Sequence, residues 1–363
     1  MNKIRLNILI LLLLTSLSAQ AYLPNGKYKK TKIIEKSYSV NPGTRFKVSN
    51  VYGHINISGW NKNIIEVKVS ITVSGDDAKA VNEKLREIGI ETGANESEVS
   101  FTTRTPENRS SSWSLFSLLF GKKTNLGFEI NYEIKVPLHS PVYIRNKYGN
   151  IFIDELQGNL DIRAYYGKLE AGELNGNRNQ INLNYFSASQ IDFIKNAVLK
   201  INYTTLNIDN AYRLDIRSGY SNISIEKVRK MEFDANYGSI KVYDAMLVKG
   251  EGNYQTRYFE NINSLDFDGN YGSLKIVNPK NGFDRIRLRC NYSNIKILNE
   301  NRVPFRLNLY QNYGCFKYDE LEFIRKEEHG QQREIQAYFI NPDSPSLIDI
   351  DANYGCIKIY NQF

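Results

Sequence analysis

The sequence predicts an all-β fold: a β-solenoid (β-helix) of about eleven short coils behind a small β-rich N-terminal cap that contains one helix. Three observations predict it. A tyrosine, most often within Asn-Tyr-Gly, recurs every 17 to 21 residues from Tyr148 to Tyr313. Apolar residues alternate on both sides of each tyrosine, and the phase of the alternation inverts across it. No helical spacing of apolar residues intervenes between one repeat and the next.

The repeat comes first, because self-similarity at a fixed period dictates the fold. Its tyrosines are Tyr52, Tyr148, Tyr166, Tyr185, Tyr203, Tyr220, Tyr237, Tyr254, Tyr271, Tyr292, Tyr313 and Tyr354. With the tyrosine as position 0, position −4 is apolar in eleven of the twelve units. Positions +3 and +5 are both apolar in ten, the exceptions being the units of Tyr185 and Tyr254. Side chains alternate strictly along an uninterrupted strand, so a one-residue phase change requires a bend or bulge at the tyrosine. Asn at −1 in eight units and Gly at +1 in seven suit such a corner. Phe186, Thr204, Ser221, Gln255 and Ser293 hold the +1 position elsewhere, which argues against a compulsory left-handed residue there. The leading strand's phase points the tyrosines inward, while the bend can turn them out.

A unit of this size cannot bury its apolar face alone, but stacked copies share one core. The period is too short for a propeller blade. Eleven coils from Tyr148 to Tyr354 at strand spacing would make a rod roughly 50 Å long. An antiparallel meander or barrel is the alternative.

Around the repeats the chain divides into recognisable parts. Residues 1–21 read as an export signal, with Lys3 and Arg5 before the apolar run Leu6–Leu14 and Ala19-Gln20-Ala21 in small-x-small form. No cysteine follows that site and no spanning segment appears later, so the expected mature chain is soluble, in the periplasm or at the cell surface. Residues 22–44 read as a solvated basic leader. Residues 45–137 form the β-rich cap, with the strand "IIEVKVSITV" followed by a short helix that Asp76 and Asp77 can cap. Within the cap, 109–123 is an apolar knot in a polar loop, read as a flap or as a membrane- or partner-touching tip. Residues 138–363 carry the repeats, with a hairpin excursion over 319–341 that could cover the end of the stack. An uncovered last coil would invite self-association end to end.

Chemistry is scarce in the sequence. His54, His139 and His329 are far apart, no His/Cys cluster has metal-ligand spacing, and no phosphate loop or nucleophile elbow is present. No catalytic, cofactor-binding or metal residue is therefore expected, and no cofactor. A net charge of +8 is modest for 363 residues. It fits an anionic envelope polymer, or merely a soluble surface, better than nucleic acid.

Two outward columns stand out. Position +4 carries Lys241, Lys275, Lys296, Lys317 and Lys358, a basic stripe if the coils stack in register. Position −5 carries Asp161, Asp215, Glu232, Asp266 and Asp349. Both columns can simply solvate the fold, or the lysines can hold an anionic glycan. The corner tyrosines (Tyr148, Tyr166, Tyr203, Tyr237, Tyr271, Tyr313 and Tyr354 among them) read as a structural ladder rather than a sugar-stacking platform.

Three cysteines cannot all pair internally. Cys315 and Cys356 both sit at +2, on adjacent coils if the hairpin is an excursion within one coil. A disulfide could then join them, but strain between directly stacked parallel strands favours two free thiols. Cys290, at −2, should be a buried thiol.

The ordered motifs "VYGHINISGWNKNIIEVKV", "YEIKVP" and then "NKYGNIFI" and "NYGSIKV" units resemble the "putative adhesin" β-strand-repeat family of bacterial envelope proteins. The tyrosine-rich form is similar to Bacteroidetes-type members. The resemblance spans nearly the whole mature chain and implies a β-helical fold, an envelope location and no catalytic residues. The expected function is thus a non-enzymatic, adhesin-like binding or structural rod. A signalling or envelope-stress accessory acting through protein contacts is the runner-up. A polysaccharide-cleaving enzyme would need two facing carboxyl groups, and periodic solvation explains the acidic column better.

Overall fold

Alternating apolar residues make strands, and in the computed structural model strands make up most of the described residues. The structure describes residues 25–106 and 125–361. The signal segment and the apolar loop 109–123 lie outside them. Among the described residues no helix is long and apolar enough to cross a membrane. The chain forms two compact units, one of Met1–Ala171 with Asn184–Ser187, the other of Gly172–Leu183 with Ala188–Phe363.

The first unit begins with β1 (Tyr28–Ser39), β2 (Arg45–Val51), β3 (Ile55–Trp60) and β4 (Ile64–Gly75). The stretch read as a basic leader is thus largely a strand: β1 pairs antiparallel with β4 along its whole length, from Tyr28 opposite Gly75 to Ser39 opposite Ile64. Its lysines keep it exposed, and a charged edge discourages pairing with other chains. The helix α1 (Ala78–Glu87) starts where Asp77 Oδ1 accepts from the Lys79 and Ala80 amides at 2.7 and 3.2 Å. Its buried face is set by Val81.

Strands β5 (Gly89–Ala94), β6 (Glu98–Arg104) and β7 (Gly127–Pro137) follow. Then β8 (Val142–Lys147), β9 (Ile151–Leu156) and β10 (Leu160–Gly167) begin the regular repeats. The Tyr52 unit already belongs to the stack: Val48 lies opposite Ile144, and Ile55 opposite Ile151, both in parallel pairs. Ile144 in turn lies opposite Ile162.

Next come β11 (Leu169–Leu174), β12 (Asn179–Phe186), β13 (Ser189–Asn202), β14 (Thr205–Glu260), β15 (Ile262–Val277), β16 (Arg285–Leu298), β17 (Phe305–Tyr318), β18 (Glu322–His329), β19 (Gln332–Phe339) and β20 (Leu347–Tyr360). In the second unit β13, β14, β15 and β16 pair in parallel, with residues one repeat apart opposite each other, such as Leu199 and Ile216 or Phe267 and Leu288. The pairing is parallel, as neither a meander nor an up-and-down barrel would give.

Stacking order then departs from chain order. The last strand, β20, lies between β16 and β17, with Ile350 opposite both Leu288 and Leu309. The hairpin β18–β19 does not join the stack of repeats. Antiparallel β19 covers the outer edge of β17, with Phe305 opposite Phe339, and β18 lies beyond it. β18 is almost wholly exposed and rich in charge, a poor template for a further strand.

The corner itself corrects one expectation. The strand is interrupted at Tyr52, Tyr148 and Tyr203, but not in the later repeats, where β14 runs 56 residues through Tyr220, Tyr237 and Tyr254. In both cases the tyrosine takes a left-handed backbone, with φ between 49° and 62° at all twelve positions. One such residue advances the alternation by one. In the Tyr220 unit Ile216 and Ser218 are buried, Gly219 and Tyr220 both turn outward, and Ser221 and Ile223 are buried again. The following residue is pressed against the neighbouring repeat, where at Gly238 (φ 102°) a Cβ would overlap the Ser221 carbonyl oxygen.

Candidate binding surface

Left-handed geometry costs a residue with a Cβ roughly 1–2 kcal/mol. What offsets it here is contact between like side chains. Turned outward at the same place in every repeat, the tyrosine rings stack on one another. In the first unit the series runs Tyr52, Tyr148, Tyr166, Tyr185, with centroids 4.9–5.1 Å apart. In the second it runs Tyr203, Tyr220, Tyr237, Tyr254, Tyr271, Tyr292, Tyr354, Tyr313, at 4.5–5.3 Å and within 7° of parallel. Each such pair contributes about 0.5–1.5 kcal/mol beyond area burial.

The rings of the second series are 40–54 % exposed, yet an internal ring has both faces covered by neighbours. A sugar cannot stack on a covered face. Edges and hydroxyls are what this ribbon offers. Around Tyr220, burial and the neighbouring Tyr237 and Tyr203 hydroxyls push its phenol above the ordinary value.

Beside the tyrosines runs a second ladder. Asn253 Nδ2 donates to Asn236 Oδ1 at 3.2 Å, and Asn270 to Asn253 at 2.9 Å. Asn291 donates to Asn270 and Asn353 to Asn291, both at 2.8 Å, and Asn312 to Asn353 at 3.0 Å. The position −1 asparagines therefore lock register rather than ease the turn.

Four of the five lysines of position +4 are brought together, and Lys241 is not. Lys275 lies opposite Lys296, Lys296 opposite Lys358, and Lys358 opposite Lys317, on four successive parallel strands. At strand spacing that is one ammonium stem every ~4.8 Å. Tyr258 lies opposite Lys275 on the other side, with the Lys275 ammonium 5.6 Å from its ring centroid. Tyr258 is the +4 residue of the repeat next after that of Lys241, so the lysine column has an aromatic step. Among the described residues none of these five lysines has a carboxylate within 4.0 Å.

The acidic column behaves differently. Asp161 is held by Arg145 at 2.9 Å, Glu232 by Lys230 at 3.1 Å, and Asp266 by Arg287 with Nε at 2.8 Å. Asp349 pairs with Arg285. The Lys230 hydrogen bond holds the Glu232 carboxyl below its usual range, and the Asp266 hydrogen bonds hold Arg287 above its own. Of the two outward columns, one is largely neutralised and the other keeps its charge.

The expectation of two free thiols is corrected. Cys315 and Cys356 lie opposite each other on β17 and β20, with Cα atoms 4.5 Å apart, and form a disulfide. The parallel register sets the two +2 residues directly opposite each other, within bonding reach. Cys290 lies in the core as a free thiol, and burial pushes its pKa up to about 12.

One buried group escaped the sequence reading. Arg257, at +3 of the exceptional Tyr254 unit, is 1 % exposed. Its Nη2 donates to the Gly252 carbonyl at 2.7 Å, and its guanidinium lies over the Phe267 ring at 4.4 Å. Burial pulls its pKa down to about 10. The break in the apolar pattern at Tyr254 was the signal. Among the described residues, no three His, Cys, Asp or Glu side chains converge as a metal cluster.

No family model matches the chain, and no curated protein does. Solved structures do. A "putative cell adhesion protein" from Clostridium sporogenes matches at 13 % identity over 91 % of this chain and 99 % of its own, with a TM-score of 0.20. "Putative adhesins" from Parabacteroides merdae and Bacteroides fragilis each match at 10 % identity. The first covers 90 % of this chain and 96 % of its own at a TM-score of 0.32. The second covers 91 % and 96 % at 0.27.

Proposed function

We propose that the chain is a non-enzymatic, exported envelope protein of adhesin-like type, whose parallel repeats are coils of a β-solenoid and whose lysine column engages an anionic glycan or surface polymer. The observation that carries this reading is the contrast between the columns. Carboxylates at −5 are engaged by neighbouring arginines and a lysine, whereas Lys275, Lys296, Lys358 and Lys317 stand in register with no carboxylate partner among the described residues. A row of ammonium groups at strand spacing suits a linear polyanion. Each ion pair with it is weak alone, and the pairs add along the row.

The test is retention of the mature protein on an immobilised anionic polysaccharide, against a neutral one of similar length. Reversing three charges, K275E with K296E and K358E, should abolish retention. The wild type should elute with rising salt. Retention unchanged in the triple variant would sink the reading.

A further inference from the structure

On the second unit, outward residues at another offset of the repeat build a groove of about 660 Å³ whose lining includes none of the five column lysines. Its walls are columns spaced by 17 residues: Lys195, Tyr212, Arg229 and Met246 in one, and Phe193, Asn210, Lys227 and Asp244 beside it. The register is that of the strands, with Phe193 opposite Asn210 and Ile194 opposite Ala211. Four repeats at strand spacing give the groove a length of roughly 14 Å. Its size lies within the range of small-molecule sites.

Two properties of the groove point to its occupant. The lining is largely apolar, with Tyr212 49 % and Met246 44 % exposed above the buried Ala211 and Val228. Charge on the rim is one-sided. The single carboxylate, Asp244, is taken by Lys280 at 2.9 Å. Arg229 rests on the Tyr212 ring at 5.3 Å, and among the described residues neither it, Lys195 nor Lys227 has a carboxylate within 4.0 Å. An inorganic anion would leave the apolar floor wet, and a neutral chain would leave the cations unmatched.

We propose that this groove binds an anionic amphiphile, an alkyl chain carrying a phosphate, with the chain along Phe193, Tyr212 and Met246 and the phosphate among Lys195, Lys227 and Arg229. This site is separate from the lysine column and does not depend on what that column binds.

The experiment labels methionine methyl groups with carbon-13 and follows them by NMR while monomeric dodecyl phosphate is titrated into the mature protein. Met246 lines the groove and Met231 is fully buried in the core, so the second reports whether the fold is intact. Met246 should shift saturably and Met231 should stay. Dodecyl maltoside should bind at least tenfold more weakly, and inorganic phosphate should leave Met246 unmoved. The double variant K195E with R229E should lose at least tenfold in affinity with Met231 unchanged, whereas K275E with K296E and K358E should bind as the wild type does. Equal binding of the neutral amphiphile, a Met246 shift with phosphate alone, or no saturable shift at all would each overturn the proposal.

Discussion

Cys315 and Cys356 are 41 residues apart in the chain and opposite one another in space, because β20 has entered between β16 and β17. The bridge fastens the last strand to the strand that would otherwise be its rival for the edge of β16. The free energy at stake is that of the loop it closes, which the chain-entropy account puts at about 4 kcal/mol for this length.

Breaking the bridge, by reductant or by C315S with C356S, should lower the free energy of unfolding by about 2–4 kcal/mol, read as a lower urea midpoint. On denatured, unreduced wild type a thiol reagent should find one group, Cys290. Three reactive thiols there would rule out the bridge.

The left-handed tyrosines make a prediction that runs against usual expectation. Tyr271→Ala loses two stacking partners and keeps the strained φ of 50°, whereas Tyr271→Gly loses the same partners but relieves the strain. Glycine is therefore the milder substitution, by about 1 kcal/mol, although it is ordinarily the worse residue in a strand. Urea unfolding of the two variants decides it.

Arg257 is a buried charge whose nearest acceptor is a single carbonyl. Arg257→Met keeps length and apolar contact with Phe267 and removes the charge. Stability at pH 7 should rise by about 1–4 kcal/mol. A fall in the unfolding midpoint would show that the guanidinium is needed where it is.

Cys290 gives a pH dependence with a definite sign. Its thiol is raised to about 12 in the folded chain, from an ordinary value near 9. Below pH 9 both states hold the proton and the contribution to stability is complete. Between 9 and 12 the unfolded chain releases it and the folded chain does not, so stability falls as pH rises. Cys290→Ala should show a shallower alkaline decline than the wild type in urea midpoints measured across that window.

Much of the core was legible because it is local. Phe267, Leu274 and Ile276 could be assigned inward from alternation alone, since side-chain direction along a strand depends only on neighbouring dihedrals. The lysine column was legible too, being a fixed offset from the tyrosine. The groove was not. Its residues occupy an offset where Lys195, Tyr212, Arg229 and Met246 share no chemistry, so no pattern marks it until stacking sets them side by side.

By itself, then, the sequence determined the strands, their inward faces, the place of each corner and the outward lysines, all of which follow from dihedral alternation within about ten residues. Tertiary structure decided which repeat lies on which. Units so alike compete for the same edge, and it is the pairing of β20 with both β16 and β17, the latter fastened by Cys315–Cys356, that puts the last strand inside the stack. It also decided that the tyrosines face outward. A left-handed residue is costly alone and becomes tolerable only when the next repeat brings a second ring against the first.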